Sequence, residues 1–300
     1  MNAEADISKN KVKHIMPSAH ITPAKRGDMF EIGDGFTALA FKEKSFYGAM
    51  DPLVMVDHYR MTKPTFGAHP HAGLSAVSVL FEDSAGEFHN RDSLGNDFDL
   101  MPGDLYWLKA GSGVIHDESP RPGSHIHGLQ VFVNLGNAER KSKPESLHVK
   151  AQSIPVYQEN GSRVRIILGE SKGIKGKQSP ARPMTLLDAT LQANKDFQHR
   201  LGRKENAWLY AIKGDLKVSI AGQEMTLFSG QSIAVSQLLG ISEQEIKIDN
   251  QENTPAHFVL FAAEPLNEEF VQKGPFIMRS ELEIEQVKAE FDAGKHGHLA

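Results

Sequence analysis

The stretch His69-Pro70-His71-Ala72-Gly73-Leu74-Ser75-Ala76-Val77-Ser78-Val79-Leu80-Phe81 decides how this chain is read. It joins two imidazoles, two residues apart, to a run with partial period-two alternation and β-branched residues, the pattern of a strand. Side chains two apart on a strand point the same way, so His69 and His71 share a face. Further along, His116-Asp117-Glu118 repeats the device with an imidazole and a carboxylate. Strand-like segments and Gly-rich turns separate the two pairs. Together they predict four donors, His69, His71, His116 and Glu118, on one inner face of a β-barrel. Ser124-His125-Ile126-His127 has the same spacing, and spacing alone leaves His125/His127 open as the second pair. Pro70 cannot donate to a sheet ladder, which predicts an edge strand or a strand start, and hence a site at a barrel mouth.

Three imidazoles and one carboxylate make a hard-to-borderline donor set. It suits Fe(II) and also admits Mn, Co, Ni or Zn, with positions left open for substrate. Fourteen histidines make chance pairs expected, so His58, His89, His257, His296 and His298 read as structural or surface groups. Ser112 in Ala110-Gly111-Ser112-Gly113 lacks the full nucleophile-elbow pattern, and no Walker loop, dinucleotide fingerprint or HExxH helix is present.

The rest of the chain extends the strand pattern. Leu105-Tyr106-Trp107-Leu108 follows a Pro102-Gly103-Asp104 turn, and Leu129 to Leu135 alternates clearly. Lys141 to Pro144 is charged and broken by proline, which predicts a first unit over 1–144 and a second over 145–300. The second unit repeats the first: Leu209-Tyr210-Ala211-Ile212, Gly222 and Leu227 to Ile233 align with Val79-Leu80-Phe81, Gly95 and Leu100 to Asp104 with the apolar strand that follows. That alignment sets Arg200 and Gly202 where His69 and His71 stand, so the second unit is expected to lack metal ligands. Ser171 to Arg182, rich in glycine and lysine, reads as an exposed hairpin or loop. Ser280-Glu281-Leu282-Glu283 is a capping box, and Leu282, Ile284, Val287 and Phe291 follow at mostly helical spacing. The expected fold is all-β, two β-barrels closed by a C-terminal amphipathic helix.

Composition excludes several function classes. A formal net charge of −5 with no basic stripe argues against direct nucleic-acid binding. No run is long and apolar enough for a membrane span. The chain has no cysteine, which fits a reducing cytoplasm. Met1–Ser18 is polar, carries Lys9, Lys11 and Lys13, and lacks an apolar segment after them, so a cytoplasmic protein without a secretory signal is expected.

Several of these motifs match a known family in order and spacing. His69-Pro70-His71-Ala72-Gly73, His89-Asn90-Arg91-Asp92-Ser93-Leu94-Gly95-Asn96, Ala110 to Pro120, His127 to Leu135, and the ending Gly274-Pro275-Phe276-Ile277-Met278 through Gly294 resemble the pirin family. The resemblance implies a bicupin of two jelly-roll barrels of the cupin superfamily, with metal, typically iron, only in the first. It implies His69, His71, His116 and Glu118 as ligands and gives His127 a structural role. Quercetinase activity in bacterial members implies a flavonol-like aromatic substrate, with Glu118 as the catalytic base. The alternative it carries is a non-enzymatic, iron-dependent redox sensor acting through a protein partner. One departure stands out: many pirins carry Arg-Gly-Phe-Glu where this chain has Ala72-Gly73-Leu74-Ser75, so a charge expected beside the site is missing.

Overall fold

Strand Leu74–Leu80 is buried at every residue, not at alternate ones. A strand does this when both faces of its sheet are covered, and that fact organises the molecule. The computed structural model describes residues 19–237 and 243–299; the reading of Met1–Ser18 concerns segments outside the described residues. Leu74–Leu80 lies inside a seven-stranded antiparallel sheet. The order is Glu145–Val149, Leu105–Lys109, Leu74–Leu80, Ile126–Asn134, Leu53–Met61, Phe36–Lys42, Asp28–Ile32. One face packs on a four-stranded sheet of His69–His71, Val114–Pro120, Phe88–Asp92 and Asp97–Leu100. Phe36, Tyr59, Leu80 and Tyr106 from the large sheet share a core there with Phe88, Leu100 and Val114 from the small one.

The second barrel has the same plan. Its large sheet includes Asn206–Lys213, Ala256–Ala263, Met184–Leu191 and Ser162–Leu168, and its small sheet runs Asp196–Leu201, Gln244–Asp249, Leu216–Ile220, Gln223–Leu227. The outer faces of the two large sheets meet in one apolar core. Val77, Val79, Trp107, Leu129 and Val131 pack there with Leu186, Trp208, Tyr210, Val259 and Phe261. The partial alternation of 74–81 is thus the signature of a strand with two hydrophobic faces.

The division expected at residue 144 is crossed three times. Strand Glu145–Val149 pairs with Leu105–Lys109 and so completes the first barrel. Ala19–Ile21 and Lys25–Arg26 pair with Gln231–Gln237 in the second. The C-terminal hairpin Val271–Lys273/Phe276–Met278 returns to the first barrel, where Ala72 bridges Phe276 and Ile277 N donates to Ala72 O at 3.0 Å. Helix Glu281–Asp292 starts as its capping box predicts, with Ser280 Oγ accepting from Glu283 N. It buries Ile284 and Val287 against Ala72, Phe276 and Met278.

The internal repeat holds, but its register is off by one residue. Strand Asp196–Leu201 occupies the place of His69–His71 in the strand order, and it turns Phe197, His199 and Leu201 inward. Arg200 points out, its side chain 79% exposed. A slip of one residue exchanges the faces of a strand, which is why Arg200 and Gly202 are not the counterparts of the two histidines. Opposite Phe197 and His199 stand Ile248 and Ile246, so His199 has no ligand partner across the strand pair.

Candidate metal centre

His69–His71 is the edge strand of the small sheet, a position that tolerates Pro70. Its neighbour Val114–Pro120 places His116 directly opposite His69. The three imidazoles converge: His116 Nε2 lies 3.0 Å from His71 Nε2 and 3.1 Å from His69 Nε2. Their ligand atoms all fall within 4.8 Å of one another.

The far nitrogens fix the tautomers. His69 Nδ1 donates to Gly67 O at 2.8 Å, and His71 Nδ1 donates to Pro275 O at 3.3 Å. Both rings therefore turn an unprotonated Nε2 inward. Burial, foremost, with the His69 ring beside it, pushes the His71 imidazole down to about 3. Burial and the same neighbours hold His116 well below its ordinary value. Lone pairs of neutral imidazoles facing one another repel, and one N–H on His116 can satisfy only one of its two close nitrogen contacts. A divalent cation at their focus satisfies all three, with the backbone carbonyls as outer-shell supports. The donors present fit such a metal.

Glu118, two residues on from His116, lines the same cavity but stands outside the cluster of three histidines. Burial pushes its carboxyl up to about 7, against the opposing hydrogen bond from Ser78. Ser78 Oγ lies 2.7 and 2.8 Å from the two carboxylate oxygens and 3.0 Å from Gln130 Oε1. Ionised Glu118 accepts the Ser78 proton. Protonated Glu118 donates to Ser78 Oγ, which then donates to Gln130 Oε1. The carboxyl thus has a partner in either state, as a group that takes and returns a proton requires.

The cavity beside the histidines has a volume of about 270 Å³. Phe36, Phe66, Phe88, Phe132, Met55 and Met61 make most of its wall, and Gln272, Gly274 and Pro275 of the C-terminal hairpin close one side. Sequence reasoning missed that hairpin, and it missed Ser78, Gln130, Asp57 and Tyr59. The alternation of Met55, Asp57, Tyr59 and Met61 along strand Leu53–Met61 could have found the last two. No lining residue comes from 72–75. Ala72 is fully buried under Phe276, so the departure at this motif makes room for the tail.

The rival pair is set aside by position. His125 is exposed. His127 Nδ1 donates to Asp83 at 2.6 Å, and its Nε2 lies 2.7 Å from His58 Nε2, whose Nδ1 accepts from Tyr210 Oη at 2.6 Å. His58 and His127 therefore tie the two barrels together. His257 bonds Asp188, and His89 bonds Asp99, both away from the cavity.

The sequence models of two pirin domains match: "Pirin" over residues 22–133 and "Pirin C-terminal cupin domain" over 186–297. Human pirin is 31% identical over 249 residues, 83% of either chain. The chain belongs to the pirin family. A pirin-like protein of Solanum lycopersicum is 30% identical over 249 residues, 83% of this chain and 82% of its own. Among solved structures, quercetin 2,3-dioxygenase from Acinetobacter baumannii matches with a TM-score of 0.80 at 25% identity, covering 93% of this pirin and 98% of that chain. The pirin YhhW of Escherichia coli, solved in complex with nickel(II), matches in fold with a TM-score of 0.61 at 16% identity, over 82% of this chain and 99% of that one. Two cupin domains and a C-terminal helix are thus common ground with the family. No helix among the described residues is long and apolar enough to cross a membrane.

Proposed function

We propose that this chain is a metal-dependent dioxygenase of the quercetin 2,3-dioxygenase type, acting on flavonols at a mononuclear iron held by His69, His71, His116 and Glu118. The observation that carries the reading is the focus of three inward-facing Nε2 atoms beside a cavity walled by aromatic and methionine side chains. The donor set equally admits Mn, Co, Ni or Zn. When bound, the metal supplies Lewis acidity that lowers the pKa of a hydroxyl reaching it. The protein's own part is positional and protic. Phe36, Phe66, Phe88 and Phe132 hold a planar ring system and exclude water. Glu118 takes the proton of the flavonol 3-hydroxyl, with Ser78 and Gln130 absorbing the change in hydrogen bonding. Reaction of the flavonolate with dioxygen then opens the central ring, both oxygen atoms entering the ester product and carbon monoxide leaving.

The test is oxygen-dependent loss of quercetin absorbance by Fe(II)-reconstituted protein, run beside His71→Ala at matched concentration. Turnover that requires metal and vanishes in the variant is expected. Tightly bound iron without turnover would overturn the reading.

A further inference from the structure

The metal cavity contains a carboxylate that the proposed chemistry does not use. Strand Leu53–Met61 lays Met55, Asp57, Tyr59 and Met61 along the cavity wall. Asp57 Oδ1 is buried and has no hydrogen-bond partner among the described residues, and Tyr59 Oη shares that condition. A buried acceptor left unpaired costs roughly 1–3 kcal/mol, more when charged. Burial pushes the Asp57 carboxyl up to about 6, with only the charge of Lys42 opposing. Among the described residues no side chain is held by this carboxylate: the flanking positions on the same face are methionine and tyrosine, and an apolar side chain would pack there at no such cost.

The sheet register says where Asp57 lies relative to the reacting end. Asp57 is directly opposite Gln130, and Gln130 is directly opposite Ser78. Ser78 in turn holds Glu118. Three adjacent strands thus present Ser78, Gln130 and Asp57 as one polar row across an otherwise apolar floor. Neighbouring strands are spaced at ~4.8 Å, so the row spans about 10 Å from the Glu118 end to Asp57. A single aromatic ring is shorter than that row; a fused or linked two-ring system matches it.

We infer that Asp57 is a specificity-determining residue that accepts a hydrogen bond from a ring hydroxyl at the end of the substrate remote from Glu118. The cavity therefore selects extended, polyhydroxylated aromatics over single-ring phenols and over ring systems without a distal hydroxyl. This rests on the reading of the cavity as a substrate site, but not on the reaction that follows binding.

The experiment is equilibrium binding by calorimetry, without oxygen, to the full-length metal-loaded protein. The probes are quercetin, 3-hydroxyflavone, which lacks the distal hydroxyls, and catechol, a single ring. Asp57→Ala is expected to weaken quercetin by roughly 10-fold or more, the range of a hydrogen bond to a charged group. The other two ligands are expected to stay within about 2-fold, since neither reaches Asp57 with a hydroxyl. Asp57→Asn serves if the alanine variant does not fold, with a smaller loss in the same order. Equal weakening of quercetin and 3-hydroxyflavone, unchanged quercetin binding, an equal loss for catechol, or no flavonol binding by the wild type would each overturn the inference. The reaction is scored separately. Asp57-dependent quercetin binding without turnover removes the dioxygenase reading and keeps this one. Quercetin turnover with binding indifferent to Asp57→Ala does the reverse.

Discussion

Gly73→Ala tests whether the C-terminal hairpin clamps the metal centre. Gly73 follows the His69/His71 pair at φ +74, and a Cβ built there would lie 1.7 Å from Ile277 O. Carbon–oxygen contacts begin near ~3.3 Å, so strand Phe276–Met278 must retreat by about 1.5 Å. The left-handed backbone costs an alanine about 1–2 kcal/mol. The retreat also breaks the Ile277 N to Ala72 O bond of 3.0 Å and draws Pro275 O away from His71 Nδ1, now at 3.3 Å. At about 1 kcal/mol for each hydrogen bond the total is about 3–4 kcal/mol, a large share of a typical domain's stability. Loss of the outer-shell support on His71 adds a drop of roughly 10–100-fold in metal affinity. Gly222→Ala is the control. Gly222 also has φ +74, but nothing lies within 4 Å of its added Cβ, and it sits in a hairpin of the second barrel. It should lose only the backbone cost and keep full metal affinity. The assays are denaturant unfolding and metal titration against a competing chelator. If Gly73→Ala behaved as Gly222→Ala in both, the tail would not support the site.

Three further outcomes are expected. Glu118→Gln should cut quercetin turnover roughly 10²–10⁴-fold, the usual range for a lost general base, while Met61→Leu stays within a few-fold; steady-state rates equal to wild type for Glu118→Gln would remove its role as base. Arg165 is buried between the barrels, bonded to Asp188 at 2.7 Å and to Gly103 O, so Arg165→Met leaves Asp188 with His257 alone and Gly103 O without this donor, and should cost about 1–3 kcal/mol in urea unfolding; an unchanged midpoint would contradict this. Burial, with the charge of Lys172, pushes His199 down to about 4, so the unfolded chain takes up a proton below ~6.5 that the folded chain refuses. Stability from His199 is then complete above ~6.5 and falls as pH drops toward 4. Wild type should lose about 2 kcal/mol more than His199→Leu between about pH 7 and about pH 5, and parallel pH profiles would count against it.

Strand positions and the three histidines were legible because they depend on residue type and local spacing. Imidazoles two apart on a strand meet on one face wherever the strand ends up, and Ser280 with Glu283 caps a helix without tertiary help. Partner identity was not legible. Ala19–Ile21 joins the second barrel's sheet and Glu145–Val149 the first, although neither segment carries a mark of its partner, since a backbone ladder accepts any sequence able to extend. The register slip at Arg200 has the same origin. Apolar strands and glycine turns fix a repeat only approximately, and one residue of freedom in a turn suffices to exchange the faces of the neighbouring strand.

Glu118 shows a second kind of gap. Spacing grouped it with His116, and the two do share a strand face and a cavity. What spacing could not supply is Ser78, which holds the carboxylate from another strand and gives it a state-independent partner. The tail goes further in the same direction. It contributes to the centre a carbonyl, Pro275 O, and a strand that needs Ala72 and Gly73 to be small. Carbonyls belong to every residue, so this half of the site has no residue type to betray it. Its trace in the sequence is indirect: two small residues directly after the histidine pair, of which the first, Ala72, stands where many pirins place arginine. That trace becomes legible only through packing, because a small residue reports the shape of whatever lies against it.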